Sequence, residues 1–456
     1  MLNKLHLCCI TLIWLFCLAQ INVTQGQKKA TDSPNIIFIF SDDWGYGDIG
    51  NHGSTFCKTP NLDQMMDEGL ELNNFTVNHP VCSPSRAAVV TGQFPARNSI
   101  HRHFADISHN VQSGMPDWLD PNIPMLPRMI QEAGYRTGHF GKWHLTNRGI
   151  AGAPLPAAYG YDEYAGFNGP GEAIATDQTI PKALDFIREN ADKPFFVNLW
   201  LHEPHTPHFP KQEYLQQFEH LNEQQQIYAA VIAEADYGVG QVFDLLKELS
   251  LDEKTLVIFS SDNGPESTGG VNRKKHGDKG FGTYYSVGET GGLKGNKRSL
   301  FAGGVRVPFI ARWPGVIEPG TKDTTSVITA VDLLPTFVEL TNAKMPKKYE
   351  PDGESILGVL KGTPTSRTKT IYWEWLGNHT QPYLWPHLGI RKGPWKLMIN
   401  EEMSKSELYN IEEDWAEEND ISGEFPEITN ELLKELKKWK KELPTAPNSA
   451  CFSISR

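Results

Sequence analysis

The sequence predicts an α/β fold organised around a mostly parallel sheet, and two observations lead to this fold class. Runs of apolar, often β-branched residues, such as 35–40 and 255–261, do not alternate with polar residues, which is typical of strands buried on both faces. Segments with helical periodicity, at 177–191 and 222–249, lie between such runs. Strands that alternate with helices are the pattern of α/β proteins.

The same criteria predict the other elements. Before residue 341 they are helices over 61–69, 125–133 and 330–340, strands over 70–75, 135–140, 194–201 and 305–312, and a helix that follows Cys82. A stretch rich in Pro, Lys and Gly, 341–354, marks a change of composition. Beyond it we predict strands near 371–375, 388–391, 395–399 and 408–410, and a charged helix over 428–443.

Length and the N-terminus indicate the domain organisation. The 456 residues exceed one ordinary core, so we predict a large domain over 27–345 and a smaller α+β subdomain over 346–456. Residues 1–26 have the features of a secretory signal, because Lys4 precedes a short apolar run that ends at Leu18. A signal anchor is the alternative, although the run is short for a membrane span. We expect an exported protein that does not span a membrane and is periplasmic, secreted or lysosome-like according to its host.

Charge and cysteine content exclude some classes of function. The net charge of −12 argues against a general nucleic-acid-binding protein, so an anionic ligand would need a locally basic pocket. Outside the predicted signal the cysteines are Cys57, Cys82 and Cys451, too few for a disulfide scaffold. If Cys82 is modified, only Cys57 and Cys451 could pair.

Acidic and amide side chains follow two of the predicted parallel strands. Asp42 and Asp43 come just after the first apolar run, and Asp262 and Asn263 come directly after the run at 255–261. Ligands of open parallel sheets bind beyond the carboxyl ends of the strands, so these residues are expected at one edge. Their oxygens favour Ca²⁺ or Mg²⁺ over zinc, and the sequence therefore predicts a site for a hard cation. Solvated surface turns are the alternative.

Basic residues and histidines follow other predicted elements. Lys142 and His144 come after one predicted strand, and His205 lies in a segment with three histidines after another. Lys297 follows a long glycine-rich loop. Isolated histidines are usually structural, but their position at strand ends favours a role in metal binding or proton transfer.

The segment Cys82-Ser83-Pro84-Ser85-Arg86 is the most specific motif of the chain. Pro84 fixes a turn and an apolar helix follows, so Cys82 is expected at a helix N-terminus or about one turn before it. Free backbone N–H groups and the helix dipole favour bound anions there and a lowered thiol pKa. Arg86 adds a planar cation that can bind oxyanions. A buried structural cysteine is the alternative.

These motifs together resemble the type I, formylglycine-dependent sulfatase family of the alkaline-phosphatase-like superfamily. The similarity extends from about Pro34 to the C-terminus. Its segments are Ser41–Asp43, Cys82–Arg86, Gly141–His144, Pro204–Pro207, Ser261–Gly264, Lys297 and Gly303–Arg306. Each segment is modest alone, but their order is highly specific. One departure is Ala302, where the family usually has Glu, and we interpret that family residue as structural.

The resemblance implies a fold and a set of cofactors. The fold is a large, mostly parallel sheet sandwiched by helices, with a smaller C-terminal antiparallel sheet and a packed helix. Asp42, Asp43, Asp262 and Asn263 would hold Ca²⁺ or Mg²⁺, and the modified Cys82 would complete the ligand set. A formylglycine-generating or an anaerobic sulfatase-maturating enzyme would convert Cys82 to formylglycine, whose hydrate supplies the hydroxyl that attacks sulfur.

The resemblance also implies roles for the basic residues in the hydrolysis of a sulfate ester. Lys142 and Lys297 would neutralise the sulfate oxygens, and Arg86 would favour the anionic form of the attacking hydroxyl. His205, with Lys297, would protonate the leaving oxygen. His144 would deprotonate the second hydroxyl of the hydrate, which then expels sulfate.

The expected substrate is a sulfated carbohydrate, part of a polyanionic glycan. A basic run in the glycine-rich loop is predicted to bind a second anionic group of the substrate, and a solvated loop is the alternative. This run comprises Arg273, Lys274, Lys275, His276 and Lys279, of which the first four are the predicted contacts. Aromatic residues expected to stack on sugar faces, unless they are ordinary surface residues, are Trp375, Tyr383 and Trp385.

Two other functions remain open at this level. A phosphate or phosphonate monoester hydrolase of the same superfamily would have nearly the same geometry, and assays on paired sulfate and phosphate esters distinguish it. An unmodified protein that only binds sulfated glycans belongs to a different class, and an aldehyde at position 82 excludes it.

Overall fold

A mixed, mostly parallel sheet lies at the centre of the fold, as the sequence predicts. The structure, a computed structural model, describes residues 33–166, 169, 171–267, 280–377 and 385–456. Its strands are β1 (Asn35–Ser41), β2 (Leu70–Leu72), β3 (Phe75–Thr76), β4 (Arg136–Gly141), β5 (Glu163–Ala165), β6 (Phe195–Trp200), β7 (Thr255–Ser261), β8 (Phe309–Arg312), β9 (Thr321–Asp323), β10 (Ile328–Thr329), β11 (Ile371–Glu374), β12 (Leu388–Lys392), β13 (Trp395–Ile399) and β14 (Ser406–Asn410).

The order of strands explains how the sheet brings distant segments together. Among the described residues the main sheet has the order β5-β4-β6-β1-β7-β8-β2-β9. The strands from β5 to β7 are parallel neighbours, whereas β8 is antiparallel to both β7 and β2. The carboxyl ends of β4, β6, β1 and β7 therefore meet at one edge of the sheet.

Helices cover the sheet on both sides. In chain order they are α1 (Pro60–Asp67), α2 (Cys82–Thr91), α3 (Ile107–Gln112), α4 (Leu126–Glu132), α5 (Thr176–Glu189), α6 (Gln212–Leu215), α7 (Glu223–Glu248), α8 (Ala302–Val305), α9 (Leu333–Leu340), α10 (Leu357–Leu360) and α11 (Pro426–Glu442). Successive side chains of β1 point into opposite apolar cores: Ile36, Phe38 and Phe40 into one, Ile37 and Ile39 into the other. The prediction that this strand is buried on both faces is confirmed.

The C-terminal strands form a separate antiparallel sheet, in the order β11-β12-β13-β14. Helix α11 packs on it through the buried side chains of Leu432, Leu436 and Trp439. The indole N–H of Trp373 on β11 donates a hydrogen bond of 2.8 Å to the Val77 carbonyl. From Pro34 to Arg456 the chain forms one compact unit, and the boundary near residue 345 stays a prediction.

Two predicted strands differ from the expectation. The segment 70–75 forms two short strands, β2 in the main sheet and β3, which pairs with β10. The run at 305–312 becomes a strand only at Phe309, because Arg306 N–H bonds to the Ala302 carbonyl and closes the short helix α8.

Cys57 and Cys451 are buried free thiols. The predicted signal lies outside the described residues, in which no helix is long and apolar enough to span a membrane.

Candidate active site

The polar residues predicted from four strand ends converge in the structure. Lys142 and His144 follow β4, His205 follows β6, Asp42 and Asp43 follow β1, and Asp262 and Asn263 follow β7. These strands are neighbours in the order β4-β6-β1-β7, so their carboxyl ends build a single site, as expected for an open parallel sheet.

Three carboxylates and one amide form the centre of this site, and all four are buried. The Asn263 amide donates to Asp43 Oδ1 at 2.7 Å, and Asp262 Oδ1 accepts a bond of 3.3 Å from the Asp43 N–H. Burial raises the pKa of Asp43, and burial together with Asp42 raises that of Asp262 to about 7. Without further positive charge, these carboxyl groups therefore oppose each other's ionisation.

The donor set fits a divalent hard cation. Asp42 Oδ1 and Asn263 Oδ1 are buried and accept no hydrogen bond from the residues that the structure describes. Buried oxygens of this kind are costly unless a cation or water satisfies them. One ligand atom each of Asp42, Cys82 and Asp262 lies within 4.8 Å of the others. Asp42, Asp43, Asp262 and Asn263 offer oxygen ligands, which suit Ca²⁺ or Mg²⁺.

Cys82 is the first residue of helix α2, as predicted, and is buried. Its Sγ lies 3.7 Å from Lys142 Nζ. The prediction of a lowered thiol pKa is wrong: burial, which Lys142 offsets only in part, raises the pKa of Cys82 to about 12. Asp42 and Asp262, both close to the thiol, raise it further.

Arg86 lies one turn along the same helix and is fully buried. Its Nε and Nη2 donate to Asp262 Oδ2 at 2.9 and 2.6 Å, and Nη2 lies 3.5 Å from Asp42 Oδ2. The guanidinium also lies over the ring of Trp200, 5.0 Å from its centroid. Arg86 therefore fixes two of the three carboxylates relative to Cys82.

Lys142 and Lys297 bring two more buried cations to the site. Lys142 Nζ forms an ion pair with Asp42, and Lys297 Nζ donates to Asp43 Oδ2 at 2.5 Å. Burial alone would lower both lysine pKa values, but the ion pairs outweigh it, so both pKa values are raised. Both side chains thus remain charged at neutral pH.

Two histidines complete the predicted set. His205 Nδ1 lies 2.5 Å from the Thr206 carbonyl and Nε2 lies 3.8 Å from Asp43 Oδ2. His144 Nε2 lies 2.9 Å from the Phe104 carbonyl. Burial and Lys142 hold the pKa of each imidazole well below its usual range, so both rings are neutral and the nitrogen facing the carbonyl carries the proton.

Local backbone strain marks the same region. Asp43, His144 and Arg298 have φ values of 67°, 54° and 69°, in the left-handed region that residues with a side chain seldom adopt. Such conformations persist where the surrounding structure enforces them, and they cluster at functional sites.

The structure adds two residues that the sequence prediction missed. Glu266 is buried, lies 3.7 Å from Lys297 Nζ and accepts a bond of 2.7 Å from Arg298. His202 brings a ring nitrogen within 4.8 Å of ligand atoms of Asp42 and His205. The group of three histidines after β6 was a signal for His202, whereas no spacing in the sequence indicates Glu266.

Two of the predicted substrate contacts, Trp375 and Trp385, lie among the described residues. Arg273, Lys274, Lys275, His276 and Tyr383 lie outside the described residues. Trp375 is 2% exposed and packs edge-on against His79, so the prediction that it offers a face to a sugar is wrong. Trp385 carries the Lys405 ammonium 3.7 Å from its ring centroid.

The arrangement as a whole is suited to an anion. Three cations, Arg86, Lys142 and Lys297, balance three carboxylates, and a bound divalent cation would leave the site with an excess of positive charge. Fixed cations around a reacting anion stabilise charge that develops in a transition state.

Comparisons with known proteins identify the family to which the chain is similar. A family model described as Sulfatase matches residues 34–343, and one described as N-sulphoglucosamine sulphohydrolase, C-terminal, matches residues 288–442. The chain is 30% identical over 383 residues to N-acetylgalactosamine-6-sulfatase of Homo sapiens, covering 74% of this chain and 67% of that protein. It is 31% identical over 387 residues to arylsulfatase A of Bos taurus, covering 75% and 71%.

Solved structures agree with these relatives. The crystal structure of Ps i-CgsB superposes with a TM-score of 0.77 at 27% identity, covering 91% of this chain and 94% of that one. The same protein in complex with k-i-k-neocarrahexaose gives a TM-score of 0.76 at 26% identity, covering 92% and 96%.

Proposed function

Because this chain belongs to the sulfatase family and is a sulfuric ester hydrolase, we propose that it acts through an aldehyde formed at Cys82 and a divalent cation, Ca²⁺ or Mg²⁺. The observation that carries the proposal is the position of Cys82. Its Sγ lies beside Lys142 and within 4.8 Å of oxygens of Asp42 and Asp262, so a group built on this residue would face both the cation site and a lysine.

The thiol itself is a poor candidate for the nucleophile. Its pKa of about 12 leaves almost no thiolate at neutral pH. An aldehyde at the same position, once hydrated, supplies a hydroxyl to attack sulfur and a second hydroxyl to release the sulfate. The proposal therefore includes a maturation enzyme, of the formylglycine-generating or the anaerobic type, as a partner.

The cation would be held by Asp42, Asp43, Asp262 and Asn263, and by the modified Cys82. When bound, it supplies positive charge that stabilises anionic oxygen at neutral pH. Arg86 keeps the carboxylates in place, because its guanidinium bridges Asp262 and Asp42.

The lysines of this chain bind and orient the sulfate group. Lys142 and Lys297 are buried and form ion pairs with Asp42 and Asp43, respectively. Their charges would neutralise the terminal oxygens of the ester, whose charge shifts as the sulfur–oxygen bond breaks. Both lysines are protonated before substrate binds, since their pKa values are raised.

The histidines move protons. His205 holds its Nδ1 proton on the Thr206 carbonyl, so Nε2 is the nitrogen that would take up a proton, from solvent or from Lys297, and pass it to the leaving oxygen. His144 donates its Nε2 proton to the Phe104 carbonyl, which leaves Nδ1 as the basic nitrogen for the second hydroxyl of the hydrate.

The proposed substrate is a sulfated carbohydrate. The curated relatives include an enzyme named for N-acetylgalactosamine 6-sulfate, and Ps i-CgsB was solved with a neocarrahexaose. Arg273, Lys274, Lys275 and His276 remain the proposed contacts for a second anionic group, on the basis of their charge in the sequence.

A desulfation screen tests the proposed function. The full chain is produced together with a maturation enzyme and incubated with defined sulfated mono- and oligosaccharides, and free sulfate is measured. We expect release from at least one saccharide, with no release by Cys82→Ala and far slower cleavage of the matching phosphate ester. Faster cleavage of the phosphate ester, or equal turnover by Cys82→Ala, would contradict the proposal.

A further inference from the structure

A buried ion pair from the C-terminal sheet contacts the segment that carries Lys297. Lys396 on β13 and Glu417, which follows β14, lie 2.5 Å apart between Nζ and Oε1 and are almost completely buried. Lys396 Nζ also donates to the Leu300 carbonyl at 3.0 Å. Glu417 Oε2 accepts a bond of 2.7 Å from the Ala302 N–H, at the start of helix α8.

The ion pair of Lys396 and Glu417 holds the backbone at Leu300 and Ala302 in place. Removing two charges from water costs several kcal/mol each, so a buried pair is a weak source of stability. Burial lowers the pKa of Lys396, and Glu417 opposes that effect only in part. Each partner also makes one hydrogen bond to the backbone of Leu300 or Ala302, so the pair fixes the place of that backbone.

Lys294, which precedes Lys297, also contacts the C-terminal sheet and the loop that follows it. The Lys294 N–H bonds to the Ala416 carbonyl at 3.4 Å, and Lys294 Nζ donates to the Tyr409 hydroxyl at 3.0 Å. The Lys294 ammonium also lies 4.1 Å from the ring centroid of Phe301. Contacts on both sides of Lys297 therefore tie the segment to the C-terminal sheet.

Close packing of backbone on backbone connects these contacts to the candidate active site. The Lys297 N–H bonds to the Pro265 carbonyl at 3.0 Å, and the Gly264 N–H bonds to the Gly304 carbonyl at 2.9 Å. A Cβ atom at Gly264 would lie 1.8 Å from the Gly303 carbonyl oxygen, and one at Gly304 would lie 2.0 Å from that of Ser299. No space is left for α8 to shift independently of Lys297 or of Asn263–Gly264.

We infer that Glu417 and Lys396 are positioning residues for catalysis, which act by fixing Lys297 against Asp43. This inference rests on the role proposed above for Lys297. Because α8 also abuts Gly264, the pair supports Asn263 as well, through the same rigid contact. Neither residue touches the reacting atoms.

The test compares Glu417→Gln with the parent enzyme, both matured and of full length, on a small aryl sulfate. Gln keeps the acceptor for Ala302 but removes the charge that holds Lys396. We expect kcat to fall about tenfold to a hundredfold with KM within about twofold, since small displacements of a catalytic group have effects of this size. If Glu417→Gln does not fold, Glu417→Gln with Lys396→Met removes both charges and replaces it.

A double-mutant cycle separates positioning from general damage. In a Lys297→Ala background, assayed for residual turnover at high enzyme concentration, Glu417→Gln should lower kcat less than about twofold. The matched control is Asp252→Asn, which weakens a partly buried contact of 2.7 Å with Arg312 near the amino end of β7, away from the site. It should leave kcat unchanged.

The outcomes distinguish this inference from the proposed function. A parent enzyme without sulfatase activity would contradict the proposed function itself. With an active parent, an unchanged kcat in Glu417→Gln, or the same fall in the Lys297→Ala background, would overturn the positioning role.

Discussion

At the scale of single residues, protonation decides what each group of the site can do. The thiol of Cys82 is protonated at neutral pH, whereas Lys142 and Lys297 are charged. His205 and His144 are neutral, so each can accept a proton at once but must gain one before donating it. Burial lowers the pKa of His205 most, followed by Lys142, and an anionic sulfate beside that lysine would offset its effect.

Replacing Cys82 by Ala or Ser should abolish turnover and leave the fold intact. The side chain is buried but small, and Ser preserves its volume while it cannot form the aldehyde hydrate that releases sulfate. Peptide mass spectrometry of the active parent should show an aldehyde in place of the thiol at position 82. A fully active enzyme that carries only the unmodified thiol would refute the mechanism.

His205→Gln should affect substrates according to their leaving group. A sugar alkoxide needs a proton as it departs, so kcat/KM on a sulfated sugar should fall about 10²- to 10⁴-fold. A nitrophenolate leaves without one, so 4-nitrophenyl sulfate should lose less than about tenfold.

His208→Asn is the matched control for His205→Gln. His208 lies on the same loop, and its Nε2 lies 3.2 Å from the Ser286 hydroxyl oxygen. We expect it to show neither loss. Equal losses on both substrates in His205→Gln would exclude a role in protonating the leaving oxygen.

At the scale of elements, four neighbouring parallel strands each end in a residue of the site. The rigid sheet fixes these ends relative to one another, and helix α2 adds Cys82 and Arg86 from the side. A cation bound at this edge therefore joins β1 and β7, and its binding should stabilise the whole sheet.

Asp42→Asn should remove that stabilisation. The change keeps the size of the side chain but removes one negative charge from the proposed ligand set. Ca²⁺ at a hundredfold excess over its Kd contributes about 2.7 kcal/mol, so the Tm of the parent should rise by a few degrees after chelated protein is reloaded. The variant should show no rise, and its activity should be lost.

Asp236→Asn is the control for Asp42→Asn, since this buried carboxylate accepts N–H groups of Asn61 and Leu62 away from the site. Its Tm should rise with Ca²⁺ as in the parent. A Ca²⁺-dependent rise in Asp42→Asn, or full activity of chelated parent enzyme, would contradict the proposed cation site.

The sequence was most informative where a site residue directly follows a buried strand. Asp42, Asp262 and Lys142 could be predicted in this way. The end of each strand is visible in the sequence, and the carboxyl ends of parallel strands meet at one edge of the sheet. The ionisation of Cys82 could not, since the helix N-terminus suggests a lowered pKa and the burial that reverses it depends on the folded surroundings. Glu417 acts on Ala302 across 115 residues, a distance over which no local pattern carries information.

At the scale of the whole molecule, stability depends on ion pairs that hold remote segments. Glu71 on β2 contacts His52 Nε2 at 2.9 Å and Lys322 Nζ at 3.0 Å, and so links three segments of the large sheet region. Burial alone would raise the pKa of Glu71, but His52, Lys322 and Asn73 lower it to about 2.

Glu71→Gln should therefore destabilise the fold in a way that depends on pH. A carboxyl group with a lowered pKa contributes stability above its unfolded pKa of about 4.5 and loses it as pH falls toward 2. After allowance for solvent screening, we expect a loss of about 1–2 kcal/mol at pH 7, shrinking at pH 3.5, in urea unfolding. The exposed Glu219, replaced by Gln, serves as control and should behave as the parent at both pH values.

A constant difference between parent and Glu71→Gln at pH 7 and pH 3.5 would show that the charge of Glu71 is not what stabilises the fold. In that case the loss of a hydrogen bond, which does not require a charge on Glu71, would have to account for the difference.

The C-terminal sheet also bears on how this enzyme could be engineered. Exchanging the C-terminal sheet between related enzymes is one way to alter which saccharide is accepted. Here the graft would have to supply partners for Leu300, Ala302 and Val77, which now bond to Lys396, Glu417 and Trp373. A chimera with a matched saccharide surface but without those partners should bind its new substrate and turn it over slowly. The host's own β11, β13 and the loop after β14 should therefore be retained when the rest of the C-terminal sheet is exchanged.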